Sequence, residues 1–575
     1  MTTATGVQDG SLPAADPADR PRVGRWRISA AVGAVCVAVA VILVHAPACR
    51  GPFLFDDIFE IENNPALATL WPPTVPMFGG RPFPKRPLPA YTFALDRAVH
   101  GLDTFGFRAV NVAIHLLNGL LAWWVGTALL RRPRIGWPGT RDRAVIVAGL
   151  AAAAWLLHPL ATQPVAYIYQ RIELLGALAI LATLACFLRS LSAPWPAGWQ
   201  AAAVVACGLG MLCKETVVAV PLLVLLIDAL AVQPPGRGIV SALRGRPALH
   251  AGLWGTIGIA AWVVWIQRDA YRELTAPAWT TWEYLATQPA AIGRYLKLAA
   301  FPVGQCFDYG WTPVANPFLR VVGVAALAAA VGAALAAARR LPGPALAMTG
   351  FLVLLAPTSS LIPVNDLFVE HRMYLPLFVL LLAAVGSLAW RAERCGWHTT
   401  RSGRLGVGAA AVAILALLAV VSAARVTVYR SLHAVWSDAA AKAPFNPRAQ
   451  LWLGIALAEL GRSEEAFAAF GRTIVLAPDR PESARAHAWR AAILGRAGRP
   501  AEAYAEAERA TELDPREPLG WANLARAAAE MGRTGEAIAA CRQALALDPT
   551  LAPTARLRAR LEAAEPPATG GGSAR

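Results

Sequence analysis

Two adjacent carboxylates, Asp56 and Asp57, lie in the segment Phe53-Leu-Phe-Asp-Asp-Ile-Phe-Glu60, just past the first long apolar stretch of the chain. A carboxylate pair at that point offers a general base at a membrane surface, where a lipid-carried substrate presents its reactive head. The plainer role for the pair is to cap a helix or a turn. The stretch before it, 27–46, is apolar and long enough to cross the hydrocarbon core. It runs long for a signal peptide, and no small-x-small cleavage site stands out before Cys49.

Other polar residues stand at the predicted outward ends of apolar stretches, where burying an ion is costly and invites a functional reading. They are His158 before Pro159, Arg171 with Glu173, Lys214 with Glu215 after Cys213, and Glu370-His371-Arg372. With the N-terminus inside, all of them face the same side as Asp56 and Asp57, which predicts one outer cavity with carboxylates on one wall and cations on another. That combination fits sugar transfer from a polyprenyl phosphate. A carboxylate deprotonates an acceptor hydroxyl as it attacks the anomeric carbon, while arginine and lysine hold the phosphate and offset charge on the leaving group. Arg372 could do so bidentately and Lys214 as a point charge. Each has a structural alternative: a span-end pair for Lys214 and Glu215, a snorkelling cluster for 370–372, and a loop hydrogen bond for His158. The sequence demands no cofactor and no metal. Asp56, Asp57 and Glu60 could bind a cation, but their spacing is not diagnostic.

The elements that must position these residues are helices in a membrane. The chain is 56% hydrophobic and 16% charged, the balance of a polytopic membrane protein rather than a soluble enzyme. The net charge of +16 comes mostly from arginine, which beside apolar spans sets topology and meets anionic lipid. No nucleic-acid module accompanies it. The eight cysteines are scattered without a C-x-x-C pair, so neither a disulfide framework nor a zinc site is indicated. Apolar length predicts about eleven spans: 27–46, 107–130, 144–158, 172–189, 199–213, 216–232, 248–267, 317–338, 344–361, 372–390 and 404–424, with 289–302 as a re-entrant or interfacial helix. Arginine clusters at 20–27, 131–143, 237–246, 339–340 and 391–404 put the N-terminus and alternate loops in the cytoplasm. The long loop 47–106 is also basic, but long loops weigh less in that rule. Residues 1–26 and 556–575 read as disordered ends.

From about 445 long apolar runs stop and a repeat begins. Gly461, Gly498 and Gly532 are each followed five residues later by alanine (Ala466, Ala503, Ala537) and seventeen later by proline (Pro478, Pro515, Pro549). This is the tetratricopeptide pattern of paired helices, here about three repeats over 445–555. Gly454 and Phe470 complete the first repeat, whereas Ala491 stands where the second usually has glycine. An odd number of spans places these repeats on the outer face.

Seven segments in order resemble the transmembrane and tetratricopeptide-repeat O-mannosyltransferases and their bacterial relatives. They are Phe55-Asp-Asp-Ile58; Arg86-Pro-Leu88; Phe105-Gly-Phe-Arg-Ala-Val-Asn-Val-Ala-Ile-His-Leu-Leu-Asn118; His158-Pro-Leu-Ala-Thr-Gln-Pro-Val-Ala-Tyr167 with 171–175; Leu212-Cys-Lys-Glu-Thr216; Tyr295-Leu-Lys-Leu-Ala-Ala-Phe-Pro302 with Asp308; and Glu370-His-Arg-Met-Tyr-Leu-Pro376. The resemblance implies an all-α GT-C membrane glycosyltransferase domain over 27–430, followed by the repeat solenoid. It also implies a polyprenyl-phosphate sugar donor and an acidic base in the first outer loop, which falls on Asp56 or Asp57. Arg372 falls on the family's donor-phosphate arginine, and Arg86, His158, Arg171, Lys214, Glu215, Glu370 and His371 become donor-site candidates. The animal relatives mannosylate secretory-pathway proteins. The chain departs in having only about three repeats, so acceptor recognition does not carry over. Cys306-Phe-Asp-Tyr-Gly-Trp311 is similar to an oligosaccharyltransferase motif but lacks its first tryptophan.

The expectation is therefore a bacterial inner-membrane enzyme that transfers a sugar, mannose among the candidates, to a hydroxyl of a periplasmic protein held by the repeats. The competing readings are the same fold acting on a lipid or envelope glycan, a non-catalytic scaffold that recruits envelope proteins, and, more weakly, a transporter without a midplane ion site.

Overall fold

The computed structural model describes residues 22–79, 86–136, 141–268, 279–359 and 363–564, and of 22–30 the backbone alone. Among the described residues all regular structure is helical. The expected disordered N-terminus lies outside the described residues as far as 21. From Arg22 the backbone is already helical and continuous with the first span, through His45.

Among the described residues eight helices are long and apolar enough to cross a membrane, rather than eleven. A ninth span results if Ala144–Leu156 and Pro159–Ala166, bent by 61° at their junction, are taken together. The bend falls at His158-Pro159, where proline removes a backbone donor. The expected span 199–213 is the helix Pro196–Met211, of 16 residues. At 1.5 Å per residue it reaches about 24 Å, short of the roughly 30 Å hydrocarbon core. The expected span 344–361 is a shorter apolar helix, Pro342–Thr358. The predicted interfacial segment 289–302 belongs to a longer helix, Thr281–Ala300, started by a Thr280–Glu283 capping box.

The bundle has two chemically distinct ends. At one, the basic connections meet. Arg134 donates to the Gln233 carbonyl at 2.9 Å. Buried Asp228 takes Arg246 at 2.7 Å, with His250 and Gln233 each at 3.1 Å. The other end carries the 53–60 segment, the helix Pro87–His100, the 305–311 loop and the repeats.

The repeats form three helix pairs: Pro447–Glu459 with Ser463–Leu476, Pro481–Arg496 with Pro500–Leu513, and Pro518–Glu530 with Thr534–Leu547. Gly461, Gly498 and Gly532 sit between the helices of each pair at φ of 76°, 70° and 75°, the left-handed conformation that ends a helix cheaply only with glycine. Ala466, Ala503 and Ala537 are buried against the partner helix. At Gly454 a Cβ would stand 2.5 Å from the Phe470 ring, so the first pair closes tighter than any side chain permits. The tail expected to be disordered from 556 is corrected in its first part: Ala552–Ala564 is a helix that packs its Leu557 on the last pair and covers its apolar face. Residues 565–575 lie outside the described residues.

The repeats do not hang from a linker. The helix Leu432–Lys442 leads from the last span into the first pair, and its Trp436 stacks on Trp452 with centroids 5.6 Å apart. One apolar core runs from Leu54, Tyr167 and Phe307 through Trp436 to Trp452 and Phe470.

Candidate active site

The 53–60 segment is held by a strained turn and an aromatic box. Phe55 has φ of 46° and is, among the described residues, the single non-glycine in the left-handed region. That conformation costs about 1–2 kcal/mol. The ring is gripped by Trp452 at 5.5 Å, Trp436 at 5.7 Å and Phe307 at 6.4 Å, and the Arg448 guanidinium lies 5.6 Å above it. Flipping Phe55 out of the backbone's usual path sends the two following aspartates in different directions.

Asp57 turns inward. It is fully buried, and its carboxylate accepts from the Leu54 N–H at 3.0 Å and the Tyr169 N–H at 2.7 Å. Beside it, buried Arg108 donates to the carbonyls of Gly51, Pro52 and Ala166 at 2.5, 2.6 and 2.8 Å. Burial pushes the Asp57 carboxyl up to about 7 against the pull of Arg108 and the two N–H donors. Its work is to tie the loop to the start of the helix Arg171–Ser190.

Asp56 turns outward. Its backbone N–H donates to the Tyr167 hydroxyl oxygen at 2.9 Å, and the residue lines a cavity of about 1750 Å³. Burial raises its carboxyl to about 6; the Tyr167 hydroxyl and the Arg448 charge hold it from rising further. A carboxyl poised there is ionised at neutral pH and still basic enough to take a proton from a hydroxyl whose acidity rises during attack.

The cavity has three kinds of wall. Beside Asp56 stand Glu60, Arg86, Tyr169 and Glu215. Leu222, Ile257, Val264 and Trp265 form an apolar flank on spanning helices. The repeats close the third side with Arg448, Trp452, Glu482, Arg485, Asp514 and Glu517. These fall at or near the N-terminal ends of the first helix of each pair.

The predicted site residues separate on this geometry. Arg86 and Glu215 line the cavity together, 3.0 Å apart, with Arg86 also 3.3 Å from the Tyr169 hydroxyl. Lys214, next in sequence, is buried against Glu173. Arg372 donates to the Asp366 carbonyl at 2.8 Å and the Tyr284 hydroxyl at 3.4 Å. Beside it, the His371 Nδ1 has no hydrogen-bond partner among the described residues. His158, Arg171 and Glu370 are not brought to the cavity wall. The His158 Nδ1 accepts from Leu160 and its Nε2 meets the Ala299 carbonyl. Arg171 is fully buried, with Asp96 at 2.5 Å, Asn111 at 2.7 Å, the Phe107 carbonyl at 2.8 Å and the Phe93 ring at 4.7 Å. Glu370 accepts from Tyr309, Cys306 N–H and Gln305 at 2.5, 2.8 and 3.0 Å. All three are consumed in fixing loops behind the cavity. Among the described residues no three His, Cys, Asp or Glu side chains gather as a metal ion needs.

Sequence reasoning missed Tyr169, Trp452 and Arg448. Arg448 grips Asp308 with Nε and, at 2.9 Å, Nη2, and reaches Asp366 at 2.7 Å. An arginine in the first turn of a repeat helix carries no local signal of that role. Asp308 does, being a lone acid inside the aromatic run 306–311.

Tetratricopeptide-repeat family models match residues 430–484 and 518–551. The human protein O-mannosyl-transferase TMTC1 is 24% identical over 522 residues, which is 78% of this chain and 56% of that protein. The fly (Drosophila melanogaster) protein O-mannosyl-transferase Tmtc3 is 29% identical over 178 residues, 27% of this chain and 19% of the relative. This chain resembles the transmembrane and tetratricopeptide-repeat O-mannosyltransferases. It spans little more than half the length of the human relative. Among solved structures it is similar to ArnT from Cupriavidus metallidurans bound to undecaprenyl phosphate, with 18% identity, a TM-score of 0.33 and coverage of 84% of this chain and 80% of that one.

Proposed function

We propose that the chain is a membrane glycosyltransferase that moves a sugar from a polyprenyl-phosphate donor to a hydroxyl of a protein held by the repeats. The observation that carries this reading is Asp56: a carboxyl raised to about 6, in a cavity whose one flank is apolar helix and whose other flank is the repeat domain. The apolar flank suits a polyprenyl chain and the repeat flank an acceptor segment, with Asp56 between them. Asp56 takes the acceptor O–H proton, the oxygen bonds to the anomeric carbon, and the bond from that carbon to phosphate oxygen breaks. The phosphate keeps the electron pair, and Arg86, on the cavity wall, is the cation assigned to offset it. Arg372 and Lys214, behind that wall, add positive charge at longer range. The basic connections at the bundle end away from the repeats support a cytoplasmic N-terminus and repeats outside a bacterial inner membrane. The relatives are protein O-mannosyl-transferases, which makes mannose the first sugar to try.

The test is transfer by the purified chain in lipid, with polyprenyl-phosphate mannose or glucose and protein acceptors. Loss in Asp56→Asn, with the fold retained, is the expected result. Wild-type activity in that variant removes Asp56 as the base, and transfer to lipid or glycan instead of protein reassigns the acceptor.

A further inference from the structure

The first repeat helix does more than cover the cavity. Arg448 lies on the cavity wall shared with Asp56, while its guanidinium is clamped by Asp308 and Asp366 and stacked over Phe55, the residue before Asp56. Such a clamp leaves the planar fork one orientation. Its positive charge thus sits at a fixed place relative to the turn that presents the carboxylate. We propose that Arg448, contributed by the repeat domain, is a positioning residue for Asp56: it orients the 53–60 turn through Phe55 and supplies the positive charge that faces the carboxylate. This rests on the reading of Asp56 as the base.

The groups that act on Asp56 come from every element around it. Tyr167 and Arg448 favour its ionised form, and Asp366 and Glu60 oppose it. Asp57 adjoins it in the chain, and Arg86, Glu215 and Tyr169 share its cavity. Arg448 and Asp366 are bonded to each other yet act on Asp56 in opposite senses. A contact that merely glues the domains together weakens alike when either partner is removed. A positioning charge does not, and this difference makes the proposal testable.

The experiment is carbodiimide labelling of Asp56 in the full chain in lipid, across pH, with tandem mass spectrometry resolving Asp56 from Asp57. The reagent reads the protonated carboxyl whether or not sugar is transferred. Wild type is expected to lose labelling around pH 6. Arg448→Gln should move that midpoint up by about 1 pH unit, the low end of what an adjacent guanidinium does. Asp366→Asn should move it down, and the acid limb of the transfer rate should follow both. Midpoints that stay put, or that move in the same sense in the two variants, overturn the proposal. If Arg448→Gln does not fold, Arg448→Lys decides, because it keeps the charge and loses the planar fork: the midpoint should stay near the wild-type value while the transfer rate falls, and a wild-type rate overturns the proposal. Transfer with unmoved midpoints overturns the role of Arg448 only. A wild type that labels as expected yet transfers no sugar to any acceptor overturns the proposed function, and with it the catalytic meaning of Arg448.

Discussion

The two ends of the helical bundle each bury an aspartate as a joint, and the repeat end sets beside it a second one, half-buried, that it uses in the opposite way. At the end with the basic connections, Asp228 is fully buried and surrounded by Arg246, His250 and Gln233, so that its acceptor positions are filled by the protein. At the repeat end, Asp57 repeats that pattern with backbone donors, while Asp56 turns into open space. A saturated carboxylate is a joint, because its lone pairs and charge are already committed. A carboxylate facing a cavity, with its proton affinity raised, is available for chemistry. Carboxylates alone do not tell the ends apart; the state of their partners does.

The sharpest way to break that comparison is Asp56→Asn. Loss of a positioned base should lower single-turnover transfer by about 10²–10⁴-fold with unchanged thermal unfolding. An unfolding shift instead would make Asp56 another joint. Asp228→Ala should do the reverse. Stripping the partner from Arg246 and His250 should cost about 3 kcal/mol of stability, read as a lower unfolding temperature in detergent, while turnover per folded molecule persists. Next in size is the pH profile. The base must be ionised, so transfer should be complete well above pH 6, fall as pH drops through about 6, and do so with a slope of one proton. A flat profile between pH 5 and 7 would remove Asp56 from the rate-limiting step. The smallest effect is expected within the repeats but off the cavity wall. Gly461→Ala places a side chain at φ of 76° and should cost about 1–2 kcal/mol in the repeats, seen as earlier local hydrogen exchange there, with transfer preserved.

The sequence made the repeats legible because their glycines, alanines and prolines recur at fixed spacing, and each does a local job the next repeat does again. The spans were legible as apolar runs but not in number: Pro196–Met211, expected as a span, has only 16 residues and ends at the turn that delivers Cys213, Lys214 and Glu215. The aspartate pair was conspicuous in the sequence, yet nothing local separates its members. Their divergence depends on Phe55, whose backbone is set by Trp436 and Trp452, nearly four hundred residues away. Arg171 and Glu370 misled for a related reason: a buried ion is equally conspicuous in sequence whether it faces a substrate or another residue. Arg448 was silent because its partners, Asp308 and Asp366, lie on two other segments.

The aromatic box around Phe55 also fixes an order of birth. The segment bearing Asp56 is made before every later span, but Trp436 and Trp452, which shape it, are made only after all of those spans. A nascent or prematurely ended chain thus holds the carboxylate without the turn that aims it. If Asp56 is the base as proposed, that base is aimed only once the first repeat has been made and has docked on the bundle.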